Sequence, residues 1–188
     1  MKRIVLLCLA AMLALGLSAV AVEAHAGKRA AEADQATCAT APGGEHNGAG
    51  EREGTAGDDH ENGTSRDDVI DGNAGDDDIA GEAGDDDLCG DAGDDHLSGG
   101  AGDDKLSGGA GDDVENGGAG DDDIHGDRGD DRITGGPGAD LIVAGAGNDR
   151  IFARDGRRDR ISCGSGDDTV RADRLDRVTA SCEHVRRS

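Results

Sequence analysis

Aromatic side chains are almost missing: the 188 residues include one Phe and neither Trp nor Tyr. Large aliphatics are scarce too. Past residue 26 the chain holds 5 Leu, 7 Ile, 6 Val and that one Phe, 19 of the remaining 162 residues. This share, about 12%, lies below the ~20% under which a highly charged chain is expected to stay disordered. An ordinary globular enzyme core is excluded. Basic residues number 19 against 42 acids, a formal net charge of −23, which makes nucleic acid an unfavourable partner and cations a favourable one. Also missing are a complete G-x-S-x-G, an H-E-x-x-H and a Cys and His pair suited to nucleophilic chemistry, so no enzyme activity is expected. What the chain has in abundance is glycine, 34 residues.

A long apolar run occurs once, at the start. Lys2 and Arg3 precede the apolar stretch from Ile4 to Leu17, and Ala24-His25-Ala26 supplies small residues for cleavage. Residues 1–26 are therefore expected to be a signal peptide that takes Cys8 with it. A membrane anchor is the rival reading, but the run reaches spanning length only if residues 18–22 are included. The exported chain is expected to be secreted and extracellular, without a membrane span. Residues 27–53 show neither a 2.0 nor a 3.6 period and read as a disordered linker.

From residue 54 a nine-residue repeat takes over. Two degenerate units span 54–71, and nine good ones follow over 72–152: GNAGDDDIA, GEAGDDDLC, GDAGDDHLS, GGAGDDKLS, GGAGDDVEN, GGAGDDDIH, GDRGDDRIT, GGPGADLIV and AGAGNDRIF. The fourth position is Gly in all nine. The sixth is Asp in all nine: Asp77, Asp86, Asp95, Asp104, Asp113, Asp122, Asp131, Asp140 and Asp149. The eighth is a branched aliphatic in eight: Ile79, Leu88, Leu97, Leu106, Ile124, Ile133, Ile142 and Ile151.

These units resemble the calcium-binding nonapeptide G-G-x-G-x-D-x-U-x of the RTX, or hemolysin-type, proteins. The resemblance implies an all-β fold, a right-handed parallel β-roll (β-solenoid) in which each unit is a turn followed by a short strand. Two units complete a circuit, so units two apart stack. By that geometry one inner ladder is Ile79, Leu97, Ile133 and Ile151, and the other is Leu88, Leu106, Ile124 and Ile142. The residue chemistry points the same way. Glycines at positions one, two and four permit positive φ and let carbonyls converge, and Ca²⁺ takes ~6 to 8 oxygen ligands from carbonyls and carboxylates. The nine position-six aspartates are the candidate metal ligands, Ca²⁺ is the expected cofactor, and pairing units two apart gives seven complete sites. Residues 54–152 carry 29 acids against 5 bases, so bound cations also relieve repulsion. The chain is expected to be unfolded without calcium and folded with it.

Other readings of the acidic run fit less well. A solvated acidic tail needs no glycine or aliphatic phase. Asp121-x-Asp123-x-x-Gly126 begins like an EF-hand, but its twelfth position is Arg132 rather than Glu. Transition metals prefer nitrogen and sulfur ligands, and His60, His96, His125 and His184 lack ligand spacing and read as surface residues. Asn62-Gly63-Thr64 matches a glycosylation sequon that is fortuitous in a bacterial host.

One good unit breaks the pattern, with Glu115 at position eight and Val114 beside it. Burying an unpaired carboxylate is costly; either the strand bulges to turn Val114 inward or Glu115 reaches a cation. Residues 153–188 then carry 9 Arg against 7 acids, while Asp-x-aliphatic elements persist at Asp159-Arg160-Ile161, Asp168-Thr169-Val170 and Asp176-Arg177-Val178. This segment reads as a C-terminal cap of final coils in which guanidinium groups stand in for the missing cations. Cys163 and Cys182 are expected to staple it; Cys38 and Cys89 pair with each other or stay free. The leading function is a non-catalytic secreted calcium-binding protein with a structural or adhesive role. The alternatives are a module that docks on an anionic cell-surface polymer or protein through Arg154, Arg157, Arg158, Arg160 and Arg174, and a secreted enzyme or toxin component.

Overall fold

The computed structural model describes residues 51–188; the expected signal peptide, most of the expected linker and Cys38 lie outside them. The described chain is a β-solenoid of about eight turns, built from two parallel sheets of eight strands. One sheet runs β1 (Glu51–Glu53), β3 (Val69–Asp71), β5 (Asp87–Ala92), β7 (Lys105–Ala110), β9 (Asp123–Arg128), β11 (Leu141–Ala146), β13 (Arg160–Ser165) and β15 (Arg177–Val178). The other runs β2 (His60–Asn62), β4 (Asp78–Ala83), β6 (His96–Ala101), β8 (Val114–Ala119), β10 (Arg132–Thr134), β12 (Arg150–Ala153), β14 (Thr169–Ala172) and β16 (His184–Arg187). Consecutive strands thus alternate between sheets. Each repeat stacks on the one two units away.

The pleat explains which residues face inward. Alternate residues of a strand share a face, so positions six, eight and one of the next unit point the same way: Asp95, Leu97 and Gly99 are buried, whereas His96 is exposed and Ser98 half-buried. Position eight forms the expected ladders. In one sheet Ile70 pairs with Leu88, Leu88 with Leu106, Leu106 with Ile124, Ile124 with Ile142 and Ile142 with Ile161. In the other, Ile79 pairs with Leu97 and Ile133 with Ile151, with Glu115 between Leu97 and Ile133. Val170 and Val185 extend this second ladder. The core is two single files of side chains.

Order begins earlier than the composition suggests. Glu51–Glu53, expected to belong to the linker, form β1, and both degenerate units contribute strands. The rungs of β1 and β2 are charged, Arg52 registering with Ile70 and Glu61 with Ile79, whereas β3 supplies the aliphatic Ile70. At the other end the disulfide Cys163–Cys182 closes the cap, with Cα atoms 5.2 Å apart. Arg187 donates to the carbonyls of Asp173 and Asp176, and Arg154 to that of Arg186. These two guanidiniums satisfy main-chain oxygens of the last coil. Cys89 is disulfide-bonded as well.

Glycine has two distinct roles. At position four, except at Gly138, the backbone is left-handed, as at Gly111 with φ +151°, and a Cβ at Gly111 would collide with the carbonyl of Gly93 one coil earlier. Position two also has positive φ, but tolerates Asn73, Glu82, Asp91 and Asp127. Position one differs from the expectation: Gly90, Gly99, Gly108 and Gly117 do not have positive φ. Close approach of neighbouring oxygens, and not backbone freedom, demands glycine there.

Candidate metal centres

The inward aspartates form two columns along the turns, one per sheet. Asp59, Asp77, Asp95, Asp113, Asp131, Asp149 and Asp168 precede strands of one sheet, and Asp68, Asp86, Asp104, Asp122, Asp140, Asp159 and Asp176 precede strands of the other. All nine sequence-derived candidates lie in these columns. A backbone relay holds each carboxylate in place: the N–H of Asp95 donates to Asp113 Oδ1 at 2.8 Å, that of Asp113 to Asp131 Oδ1 at 2.9 Å and that of Asp131 to Asp149 Oδ1 at 2.9 Å. In the second column Asp86 donates to Asp104, Asp104 to Asp122 and Asp122 to Asp140 in the same way.

One oxygen of each carboxylate is thereby used, and the other is left over. The Oδ2 atoms of all nine candidates are buried without a hydrogen-bond partner, as are those of Asp159 and Asp168. A buried acceptor without a donor is expensive. Beside those of Asp77 to Asp140 lies the position-one glycine of the same unit. A Cβ at Gly81, Gly90 or Gly117 would run into Oδ2 of Asp86, Asp95 or Asp122 and come within 2.7 Å of the carbonyl of Gly99, Gly108 or Gly135, one coil on. Carboxylate and carbonyl oxygens thus converge on a cradle that glycine leaves open. From Ala144 onward a buried Ala144, Ala153, Cys163 or Ala172 occupies that position.

The electrostatics show what such a cradle lacks. Burial pushes the carboxyls of Asp95 and Asp149 up to about 6, those of Asp104, Asp113 and Asp140 up to about 7, and that of Asp131 up to about 8. The backbone donor pulls each back and neighbouring aspartates push it further up. Among the described residues no three His, Cys, Asp or Glu side chains form a ready metal cluster. The donor set is instead carboxylate plus carbonyl oxygen, the chemistry a hard divalent cation such as Ca²⁺ accepts.

Four copies of the RTX calcium-binding nonapeptide repeat match the chain, at residues 53–88, 87–115, 116–151 and 144–174. The chain belongs to the RTX calcium-binding nonapeptide-repeat family. The ion that RTX repeats bind is Ca²⁺, and the orphaned Oδ2 atoms and glycine cradles of this chain fit it. No curated protein sequence matches the chain.

Several residues were not singled out by the sequence reading. Asp159 and Asp168 present the same orphaned Oδ2 as the candidates; their signal was the Asp-x-aliphatic element in the tail. Position five carries a second relay of opposite direction, in which the N–H of Asp112 donates to Asp94 Oδ1 and that of Asp130 to Asp112 Oδ1, both at 2.8 Å. These aspartates are exposed, and their recurrence was visible in the repeat. The histidines stay on the surface: His60 and His96 both approach Asp78, at 3.0 and 3.3 Å, and His184 pairs with Asp167 at 2.8 Å. Among the described residues no helix is long and apolar enough to cross a membrane.

Glu115 keeps its register between Leu97 and Ile133, so β8 does not bulge to turn Val114 inward. Its side chain is fully buried, and neither carboxylate oxygen has a partner. Burial first, then Asp131, Asp113 and Asp127, drive its carboxyl well above the ordinary glutamate range, against a smaller opposing pull from the nearby Gly108 N–H, which does not reach hydrogen-bond geometry.

Proposed function

We propose that this RTX protein is a secreted, non-catalytic rod whose folding is completed by extracellular Ca²⁺ at the two aspartate columns, and whose role is structural or adhesive. The observation that carries this reading is the row of eleven buried, unpartnered Oδ2 atoms along a core only one side chain wide. A ligand that binds the native state alone stabilises it in proportion to its binding free energy. The position-six aspartates Asp77 to Asp149 hold the ions, together with carbonyls of the turns. Circular dichroism during a Ca²⁺ titration tests this. A cooperative gain of β signal, reversed by EDTA, is expected at pH 8, and a chain that stays compact and protease-resistant in strong chelator at that pH refutes it.

A second reading, docking on an anionic cell-surface polymer, draws support from a different set of arginines than the tail composition suggested. On the outer face of one sheet Arg132 registers with Arg150, and Arg171 with Arg186; like charges directly opposite destabilise a sheet. Arg132 and Arg171 flank Phe152, their guanidinium carbons 4.5 and 5.2 Å from its ring centre. Arg160, one of the expected set, stands on the other sheet. Pull-down on cell-wall material with Arg132, Arg150, Arg171 and Arg186 changed to Ser separates the readings, since undiminished retention removes this one.

A further inference from the structure

We propose that Glu115 is an additional calcium ligand, contributing an oxygen from inside the solenoid to the ion held at the turns of Asp113 and Asp131. Position eight is aliphatic in the other eight good units, so nothing in the repeat itself calls for a carboxylate here. Glu115 is nonetheless fully buried, with both oxygens unpartnered. No basic side chain among the described residues pairs with it.

Placement determines which ion it could meet. Asp113 lies two residues before Glu115 in the same strand entry and so faces the same interior. Asp131 lies two residues before Ile133, the rung that registers with Glu115. Asp131 and Asp113 are also the charges that act on Glu115 most strongly, and the Oδ2 of each is itself buried and unpartnered. Four orphaned carboxylate oxygens therefore share one stretch of interior. Leaving them unpaired is costly, and removing one charge of such a group by substitution differs from pairing it. These side chains are not a ready cluster, so ion binding includes a side-chain adjustment. A third carboxylate raises the charge of one site above that of its neighbours, and charge count is what tunes calcium affinity.

The inference rests on calcium binding at the aspartate columns and is tested separately from it. Calcium titrations by calorimetry and equilibrium dialysis are run on the full chain and on Glu115→Leu and Glu115→Gln. Leu is already the rung at positions 88, 97 and 106, so Glu115→Leu suits the ladder and is expected to stabilise the ion-free chain. Against this, the tightest class of site should lose at least about tenfold in affinity, with a smaller loss in Glu115→Gln, which keeps a carbonyl oxygen. If Glu115→Leu fails to fold in Ca²⁺, Glu115→Gln decides: weakened binding at the tightest class of site supports the proposal and unchanged affinity overturns it. Unchanged stoichiometry and affinity, with a higher melting temperature at every calcium concentration, would overturn it and leave Glu115 as a protonated core residue. A wild-type chain that binds no calcium instead sinks the underlying reading.

Discussion

Acid should push the ion-free and calcium-loaded forms in opposite directions. In the ion-free fold Asp104, Asp113 and Asp140 stand at about 7 and Asp131 at about 8, against an ordinary 3.8. A carboxyl raised on folding contributes stability that is fully present below its unfolded pKa and is lost as pH rises through the folded one. For a group raised to about 7, the ion-free fold loses stability as pH rises from the ordinary carboxylate range to 7 and regains part of it on return to pH 5, by less than the unscreened ~1.4 kcal/mol per pH unit because solvent still reaches these carboxyls. These carboxyls interact, so their contributions do not simply add. The assay is β signal by circular dichroism in EDTA from pH 8 to pH 5, repeated in 1 M NaCl. Salt screens exposed charges over ~3 Å but leaves the buried ones, so a gain on acidification should persist there. In calcium the sign reverses, because the ion needs ionised carboxylates, and the Ca²⁺ concentration at half-folding should fall as pH rises from 5 to 8. An ion-free chain equally folded at pH 8 and pH 5, or a calcium midpoint indifferent to pH, refutes the assignment of the buried carboxylates.

Other perturbations isolate single parts of the rod. Leu106→Ala opens a gap between Leu88 and Ile124 and should cost about 2 to 5 kcal/mol in urea unfolding with calcium present; a loss under about 1 kcal/mol would mean that the rung is not packed. Changing Cys163 and Cys182 together to Ser should remove ~3 kcal/mol, and an unaltered melting temperature in calcium would show that the staple contributes nothing. Asp112→Ala deletes an exposed acceptor and should cost about 1 kcal/mol while leaving calcium stoichiometry intact. Asp113→Ala, by contrast, should lower that stoichiometry, and equal behaviour of the two variants would contradict the division between positions five and six.

Much of the architecture could be read from the nine-residue phase together with the RTX resemblance, which supplied the two units per circuit. The rungs Leu88, Leu106 and Ile124 stack in one sheet, and Ile79 with Leu97 in the other, because an odd period of nine with two units per circuit leaves them nowhere else to go. The position-six aspartates were equally visible. What composition concealed was packing at close range. Glycine at position one is explained by an oxygen from five residues on and a carbonyl one coil away, and that distance is not encoded in any single repeat. The strand at Glu51–Glu53 escaped notice because its rung is Arg52, which carries no aliphatic phase. The same limit applied to Glu115: only its register against Leu97 and Ile133 decides between a bulge and a buried carboxylate. The arginines of the tail were legible as a cap, but their acceptors are the carbonyls of Asp173, Asp176 and Arg186, which composition does not reveal.

Alternation of consecutive repeats between two sheets restricts how a molecule of this kind can change its length. Duplicating or excising a pair of repeats leaves every downstream residue with the neighbours it had, so the rod can be lengthened or trimmed in whole circuits. A single repeat gained or lost exchanges the two faces for the rest of the chain. The arginine-bearing surface would then be carried round from the sheet that holds Glu61 to the sheet that holds Arg52, which makes parity, more than length, the property that heredity must conserve.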